Sequence, residues 1–195
     1  VLVVALSAIA GRGGAAALAI CRELRVKVVP RGAGTSLSGG ALPLADGIVL
    51  GLARLNRILD IDYDNRTVTC QPGVTNLAIS NAVAARGFYY APDPSSQIAC
   101  TIGGNVAENS GGVHSLKYGL TLHNVLRVRG FTVEGEPVEF GAEALDAAGL
   151  DLLALVVGSE GMLAVTTEVT VKLVPRPLVA RCIMASFDDI RKAGD

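Results

Sequence analysis

The sequence predicts an α+β domain of two lobes, a small one of helix and parallel strands followed by one of antiparallel strands with helices. Three observations lead there. Helical and extended runs do not alternate with the regularity of a doubly wound sheet. The hydrophobic pattern becomes strand-like in the C-terminal half, most clearly from Val165 to Leu173. Glycine makes up 23 of 195 residues, about 12% against an average of about 7%, and gathers in two loops without any repeat.

The opening run Val1 to Ala10 is apolar, has no basic leader and is too short to span a membrane. It breaks at Gly11-Arg12-Gly13-Gly14, so it reads as a buried strand. The chain begins without Met and is expected to start inside a longer gene product. Ala15 to Arg25 is rich in Ala and Leu and predicts a helix. Val26 to Val29, bounded by Pro30, predicts a short buried strand, and Arg31 to Gly40 holds four glycines and is expected to be irregular. Ile58 to Tyr63 and Arg66 to Cys70 bracket Asp64-Asn65, the signature of a two-residue hairpin. Thr75 caps a helix running to about Arg86, with Gly87 as its stop.

Pro92 to Gly119 carries almost no periodic signal. Beyond it, Leu126 and Val128 alternate with Arg127 and Arg129, and Gly130 shifts the phase to Phe131 and Val133 as a bulge would. Leu150 to Leu155 predicts a short helix. In the strand from Val165 to Leu173, Val165, Thr167, Val169, Val171 and Leu173 share one face. Pro175 and Pro177 end it, and Ser186 is placed to cap a final helix.

A net charge of −1 leaves no basic face for nucleic acid, and 4% aromatics leave no stacking platform for single strands. Cys21, Cys70, Cys100 and Cys182 form no Cys-x-x-Cys pair, and only His114 and His123 could complete a zinc set. All four cysteines are therefore expected as buried small hydrophobes in a reducing compartment, with no metal site. The two histidines read as structural or surface groups, with no carboxylate at a short sequence spacing to orient either.

The first glycine-rich loop, Pro30-Arg31-Gly32-Ala33-Gly34-Thr35-Ser36-Leu37-Ser38-Gly39-Gly40, follows a strand directly. Glycines let backbone N–H groups converge on an anion such as a pyrophosphate, and Arg31, Thr35 and Ser36 add charge and hydroxyls. It is no Walker A loop, because no Lys precedes its end. It is no dinucleotide fingerprint either, because Leu37 stands where the third glycine belongs. The second loop carries Pro92-Asp93-Pro94-Ser95-Ser96, then Thr101-Ile102-Gly103-Gly104-Asn105-Val106-Ala107-Glu108-Asn109-Ser110-Gly111-Gly112. Its paired glycines and asparagines suit a backbone wrapped around a flat polar ligand such as a flavin.

These strings, together with Gly158-Ser159-Glu160-Gly161-Met162-Leu163, resemble the vanillyl-alcohol-oxidase (PCMH-type) FAD-binding domain. The resemblance covers nearly the whole chain. Within that superfamily it is nearest to the FAD-linked D-2-hydroxyacid dehydrogenases, the group that includes flavin subunits of bacterial glycolate oxidases. It implies two α+β lobes with FAD extended between them. Arg31, Gly32, Ala33, Gly34, Thr35 and Ser36, with Gly39 and Gly40, would hold the pyrophosphate. Pro92, Asp93, Ser96, Thr101, Gly103, Gly104, Asn109, Gly112, Tyr118 and Gly119 would line the cofactor, and Glu160, Gly161 and Val165 would close the site from the second lobe.

The resemblance further implies oxidation of glycolate or D-lactate to the 2-oxo acid by hydride transfer to FAD. The alternative it leaves open is a non-catalytic FAD-holding subunit that relays electrons. Implied partners are the 2-hydroxy acid, an iron–sulfur subunit and a second flavin subunit. The implied location is cytoplasmic, with membrane association only through those partners. Members that bind FAD covalently carry His near the end of the first loop; Thr35-Ser36 stands there, so noncovalent binding is expected. Ala164 replaces a glycine usual in the family. Residues 1–175 are read as the FAD-binding domain and 176–195 as the start of a cap domain that carries the catalytic His and metal ligands. No catalytic residue is nominated within the chain.

Overall fold

The computed structural model describes residues 2–5, 12–142, 149–179 and 181–194. The small lobe opens with β1 (Leu2–Ala5), within the run expected to be a strand, followed by α1 (Arg12–Glu23), β2 (Lys27–Arg31) and β3 (Gly47–Gly51). The strands form a parallel sheet in the order β1-β3-β2. Its central strand β3 is an element the sequence reading does not include, and it is built on the apolar run Ile48-Val49-Leu50 between two glycines. Pro30 sits in edge strand β2, where a missing N–H is tolerated. The first helix ends in a Schellman turn. Arg25 takes φ 52°, and the N–H groups of Arg25 and Val26 bond the carbonyls of Arg22 and Cys21 at 3.0 and 2.7 Å.

The larger lobe begins with the hairpin β4 (Ile58–Asp62) and β5 (Thr67–Cys70). Asp62 pairs with Thr67, so the connection is four residues, longer than the two expected. The Asp62 carboxylate fixes it by accepting from the N–H groups of Asp64 and Asn65, both at 2.9 Å, and Arg66 takes φ 56°. Next come α2 (Asn76–Val83), a 3₁₀ turn (Ala84–Arg86) and β6 (Phe88–Tyr89). As expected, Thr75 caps α2 by accepting from the Ala78 N–H at 3.3 Å, and Gly87, at φ 75°, stops the 3₁₀ turn that carries the helix on to Arg86.

The second glycine-rich region, expected to be irregular, contains α3 (Ile102–Glu108) and α4 (Ser115–Tyr118), then a 3₁₀ turn (Thr121–Asn124). The chain continues as β7 (Val125–Phe131), β8 (Pro137–Gly141), α5 (Leu152–Val156), β9 (Val165–Lys172), β10 (Val174–Pro175) and α6 (Ile190–Gly194). Five of these strands form an antiparallel sheet in the order β4-β5-β9-β7-β8, while β10 pairs with β6. Asp189, not Ser186, stands at the start of α6, where its carboxylate accepts from the Arg191 N–H at 2.8 Å.

The expected bulge exists, but its extra residue lies on the partner strand. Pairing jumps from Arg129–Glu168 to Gly130–Thr166, which leaves Thr167 unpaired on β9. A Cβ on Gly130 would run into the Val165 carbonyl oxygen, so glycine is required opposite the bulge. The bulge also breaks the single face expected for β9. Val169 and Val171 enter the large-lobe core with Val68, Val128, Ile79, Ile102 and Val106. Val165 instead joins Leu18, Leu50, Leu52 and Leu55 in the small-lobe core. One strand thus anchors both cores. Each fully buried Val or Ile contributes about 1.5–3 kcal/mol.

Cys21, Cys70 and Cys100 are buried, but Cys182 is exposed, against the expectation of four buried thiols. Burial, and after it the charge of Glu168, pushes the Cys70 thiol up to about 12. A maleimide is therefore expected to label one thiol per native chain and four after denaturation. Rapid labelling of two or more in the native protein would contradict this packing.

Candidate functional site

A cleft of about 320 Å³ runs between the first glycine-rich loop and α3. One wall is Pro30, Gly32 to Ser38, Gly40 and Ala41; the other is Ser96, Cys100, Thr101, Gly104, Asn105, Ala107, Glu108 and Ser110, with Glu160 at the margin. A recess of about 60 Å³ adjoins it, where Gly103, Gly161, Ala164 and Thr166 join Gly32 and Thr101.

The first loop can take this path because Gly34 and Gly39 adopt φ +71° and +86°, left-handed values that side chains disfavour. Arg31 folds back over Gly34, so that a Cβ there would lie 2.7 Å from a guanidinium nitrogen. At Gly32 a Cβ would run into Thr101 Oγ1. That same hydroxyl caps α3 by accepting from the Gly104 N–H at 3.4 Å. The helix start is pressed equally hard from behind. Gly103 donates to the Pro72 carbonyl at 2.9 Å, and a Cβ on it would stand 2.6 Å from Pro72 Cβ. At the cleft mouth, Ser38 Oγ donates to Glu108 Oε2 at 2.9 Å, a latch between residues 70 apart. Glu160 takes φ 54°, held by its N–H on the Ala107 carbonyl at 2.8 Å.

Of the residues anticipated from sequence, Gly32, Ala33, Gly34, Thr35, Ser36, Gly40, Ser96, Thr101, Gly104 and Glu160 line the cleft, and Gly103 and Gly161 the recess. Others line neither. Arg31 supports the loop, and Gly39 turns it through its carbonyl, which accepts from the Leu42 N–H at 3.0 Å. Asn109 ends α3 at φ 50° and accepts from the Leu122 N–H at 3.0 Å. Gly112 packs on the backbone of Asp93, Gly119 on the His123 ring, and Val165 points into the small-lobe core. The carbonyl of Pro92 accepts from Asn76 Nδ2 at 3.0 Å.

Ser38, Cys100, Asn105, Glu108 and Ser110 line the cleft without having been anticipated. A signal existed. Thr101, Gly104, Asn105 and Glu108 are spaced i, i+3, i+4, i+7, one face of a helix, but Gly103-Gly104 disguised that helix. His114 has no carboxylate at a short sequence spacing, but the fold brings one to it from a distance. Asp93 Oδ2 lies 2.6 Å from His114 Nδ1, and Asp93 Oδ1 accepts from the His114 N–H at 3.3 Å, across 21 residues. Beside them the rings of Tyr89 and Tyr118 meet edge-on at 6.1 Å. Burial and the contact with Tyr118 push the Tyr89 phenol above its ordinary value; the hydrogen bonds from Tyr89 and then Lys117 hold Tyr118 below its own. Among the described residues no group of three or more His, Cys, Asp or Glu could hold a metal ion.

A family model described as an FAD binding domain matches residues 14–141. The chain is 65% identical over 179 residues to the glycolate oxidase subunit GlcD of Escherichia coli (strain K12), covering 92% of this chain and 36% of that protein. It is 47% identical over 177 residues to GlcD of Bacillus subtilis (strain 168), covering 90% and 38%. It is 40% identical over 162 residues to a D-lactate dehydrogenase of Archaeoglobus fulgidus, covering 83% and 36%. The chain thus spans little more than a third of the length of these relatives. Among solved structures, alkyldihydroxyacetonephosphate synthase shares the fold, with a TM-score of 0.79 over 91% of this chain and 32% of that one, at 23% identity.

The close approach at Gly32 makes a direct test of the cleft. Gly32→Ala adds a methyl group against Thr101 without asking for a left-handed backbone, so it acts on the loop-to-helix contact alone. It is expected to weaken FAD binding about tenfold or more, the cost of about one hydrogen bond to a charged oxygen. Gly40→Ala meets only the flexible end of Glu160, at 3.1 Å, and is expected to cost far less. Titration by flavin fluorescence decides; equal losses would remove the special role of the Gly32 contact.

Proposed function

We propose, from the premise that this chain belongs to the FAD binding domain family, that it holds FAD noncovalently in the cleft for the oxidation of a small 2-hydroxy acid. The observation that carries the reading is the convergence of both glycine-rich segments on one cleft. The residues fit the group: Gly34 and Gly39 take left-handed φ values in a loop that lines the cleft, a geometry that lets backbone N–H groups converge on an anion, and the Thr101 hydroxyl seats α3 against Gly32 across from them. Arg31 to Ser36, with Gly39 and Gly40, would hold the pyrophosphate. Ser96, Thr101, Gly103 and Gly104 would line the cofactor, and Glu160 and Gly161 would close over it. Pro92, Asp93, Asn109, Gly112, Tyr118 and Gly119 would continue that lining along the cofactor beyond the cleft, and Val165 would support the closing turn from the small-lobe core.

When bound, FAD supplies the hydride acceptor. The chain's own residues would bind and orient it and keep water from the cleft. The names of the relatives support glycolate or D-lactate as the substrate class, with the 2-oxo acid as product. The word subunit in two of those names supports assembly with further chains, which we assign as an iron–sulfur and a second flavin subunit. No helix among the described residues is long and apolar enough to cross a membrane, and we assign any membrane contact to those partners. We read 176–195 as leading into a substrate-bearing domain, because Leu178, Val179, Ile183, Met184, Phe187 and Ile190 are exposed and join neither core.

Two measurements test this reading. Acid precipitation should release all the yellow colour into the supernatant; colour kept in the pellet would overturn noncovalent binding. Anaerobic addition of glycolate or D-lactate to the FAD-loaded full-length protein should bleach the flavin band at about 450 nm at about 1 s⁻¹ or faster. No bleaching with either acid would overturn the substrate class.

A further inference from the structure

Behind the cleft lies a buried chain of polar side chains that the cofactor reading does not use. Asn76, on the first turn of α2, is 1% exposed and does not line the cleft. Its amide nitrogen donates twice, to the Pro92 carbonyl at 3.0 Å and to Asn105 Oδ1 at 2.9 Å. Both of its N–H groups are thereby committed. Asn105 is 2% exposed, lines the cleft, and donates from Nδ2 to Cys100 Sγ at 3.4 Å.

This arrangement removes a choice. A carboxamide can present either its oxygen or its amino group to a neighbour, and the two ends differ little in shape. With two donors, Asn76 can face only the oxygen of Asn105. The amino group of Asn105 is left for the side of Cys100, another residue of the cleft wall. An amide flip would set Asn105 Nδ2 against Asn76 Nδ2, donor against donor, in a buried place where an unmet polar group costs most.

We infer that Asn76 is a positioning residue that locks the Asn105 carboxamide as a hydrogen-bond donor toward an acceptor oxygen of the cofactor. The inference rests on the proposed binding of FAD in this cleft. It adds a specificity device: the wall favours a ligand that offers oxygen or nitrogen lone pairs there and disfavours one that offers N–H.

The test measures FAD dissociation constants by fluorescence for the wild type, Asn76→Ala, Asn105→Ala and the double variant, with melting of each FAD-free form by circular dichroism. Failure of the wild type to bind would sink the FAD reading itself, and not this step alone. Given binding, each single variant should lose about tenfold or more, the worth of about one hydrogen bond to a charged group. The double variant should lose no more than Asn105→Ala, and the absorption maximum of bound flavin should move equally in both single variants. Additive losses or unlike spectral shifts would show that Asn76 acts through Pro92 instead, and unchanged affinity would overturn the inference. Should Asn76→Ala fail to fold, Asn105→Asp keeps it testable. That isosteric variant has no donor and should lose at least as much as Asn105→Ala; wild-type affinity would overturn the assigned orientation.

Discussion

The cleft depends on how closely the first turn of α3 is held between two loops. Thr101 meets Gly32 on one side, and Gly103 meets Pro72 on the other, each at a distance that excludes a Cβ. The backbone adds two ties to the strand-to-helix connection before α2, Asn76 N–H to the Cys100 carbonyl at 3.0 Å and Ile102 N–H to the Val74 carbonyl at 2.8 Å, which together make the antiparallel Thr75–Thr101 bridge. A seven-residue helix containing two glycines has little intrinsic stability. Its contacts, and the apolar side chains of Ile102 and Val106 in the core, keep it in place. Gly103, which weakens the helix, is therefore also the residue that lets it be seated against Pro72.

That seat is rigid because the lobes on either side are tied by one strand. Val169 and Val171 belong to one core and Val165 to the other, with the bulge at Thr167 turning the strand between them. A shift of one lobe against the other would pull β9 out of register, and a one-residue slip would send its buried valines toward the wrong face. Glu160 and Gly161 lie just before this strand, so the turn that closes the cleft inherits its position from both cores.

What could be read in the sequence was mostly local. Thr75 as a cap, Gly87 as a stop, the existence of β9 and the irregular first loop each follow from a few neighbouring residues. What could not be read depends on distant partners. Ser38 finds Glu108 across 70 residues and His114 finds Asp93 across 21, and no spacing rule reaches so far. The helix α3 was hidden for another reason: Gly103 and Gly104 look like loop residues by propensity, and tertiary contacts override that preference. The bulge was half legible. Gly130 marked the place, but only the pairing shows that the extra residue belongs to Thr167 on the other strand.

The same physics explains how a cleft with Glu108 and Glu160 on its walls suits an anionic cofactor. The Ser38 hydroxyl already donates to the Glu108 carboxylate, and the Glu160 carboxylate lies beside Gly40 at the cleft margin. Arg31 is drawn back over Gly34 and supplies positive charge from behind the loop. On the proposed reading the main attraction would fall to backbone N–H groups, whose directions are set by the left-handed turns at Gly34 and Gly39 and by the Ser36–Ser38 hydrogen bond at 3.1 Å. A loop ordered before binding loses little freedom when the ligand arrives, and in the proposed site that saving would stand in for the lysines of other phosphate sites. Directional amides are harder to replace than charges. A lysine can be moved along a flexible stem, but an N–H pointed by a left-handed glycine has no substitute residue, so a side chain at Gly34 would misdirect the groups that charge elsewhere on the loop could not restore.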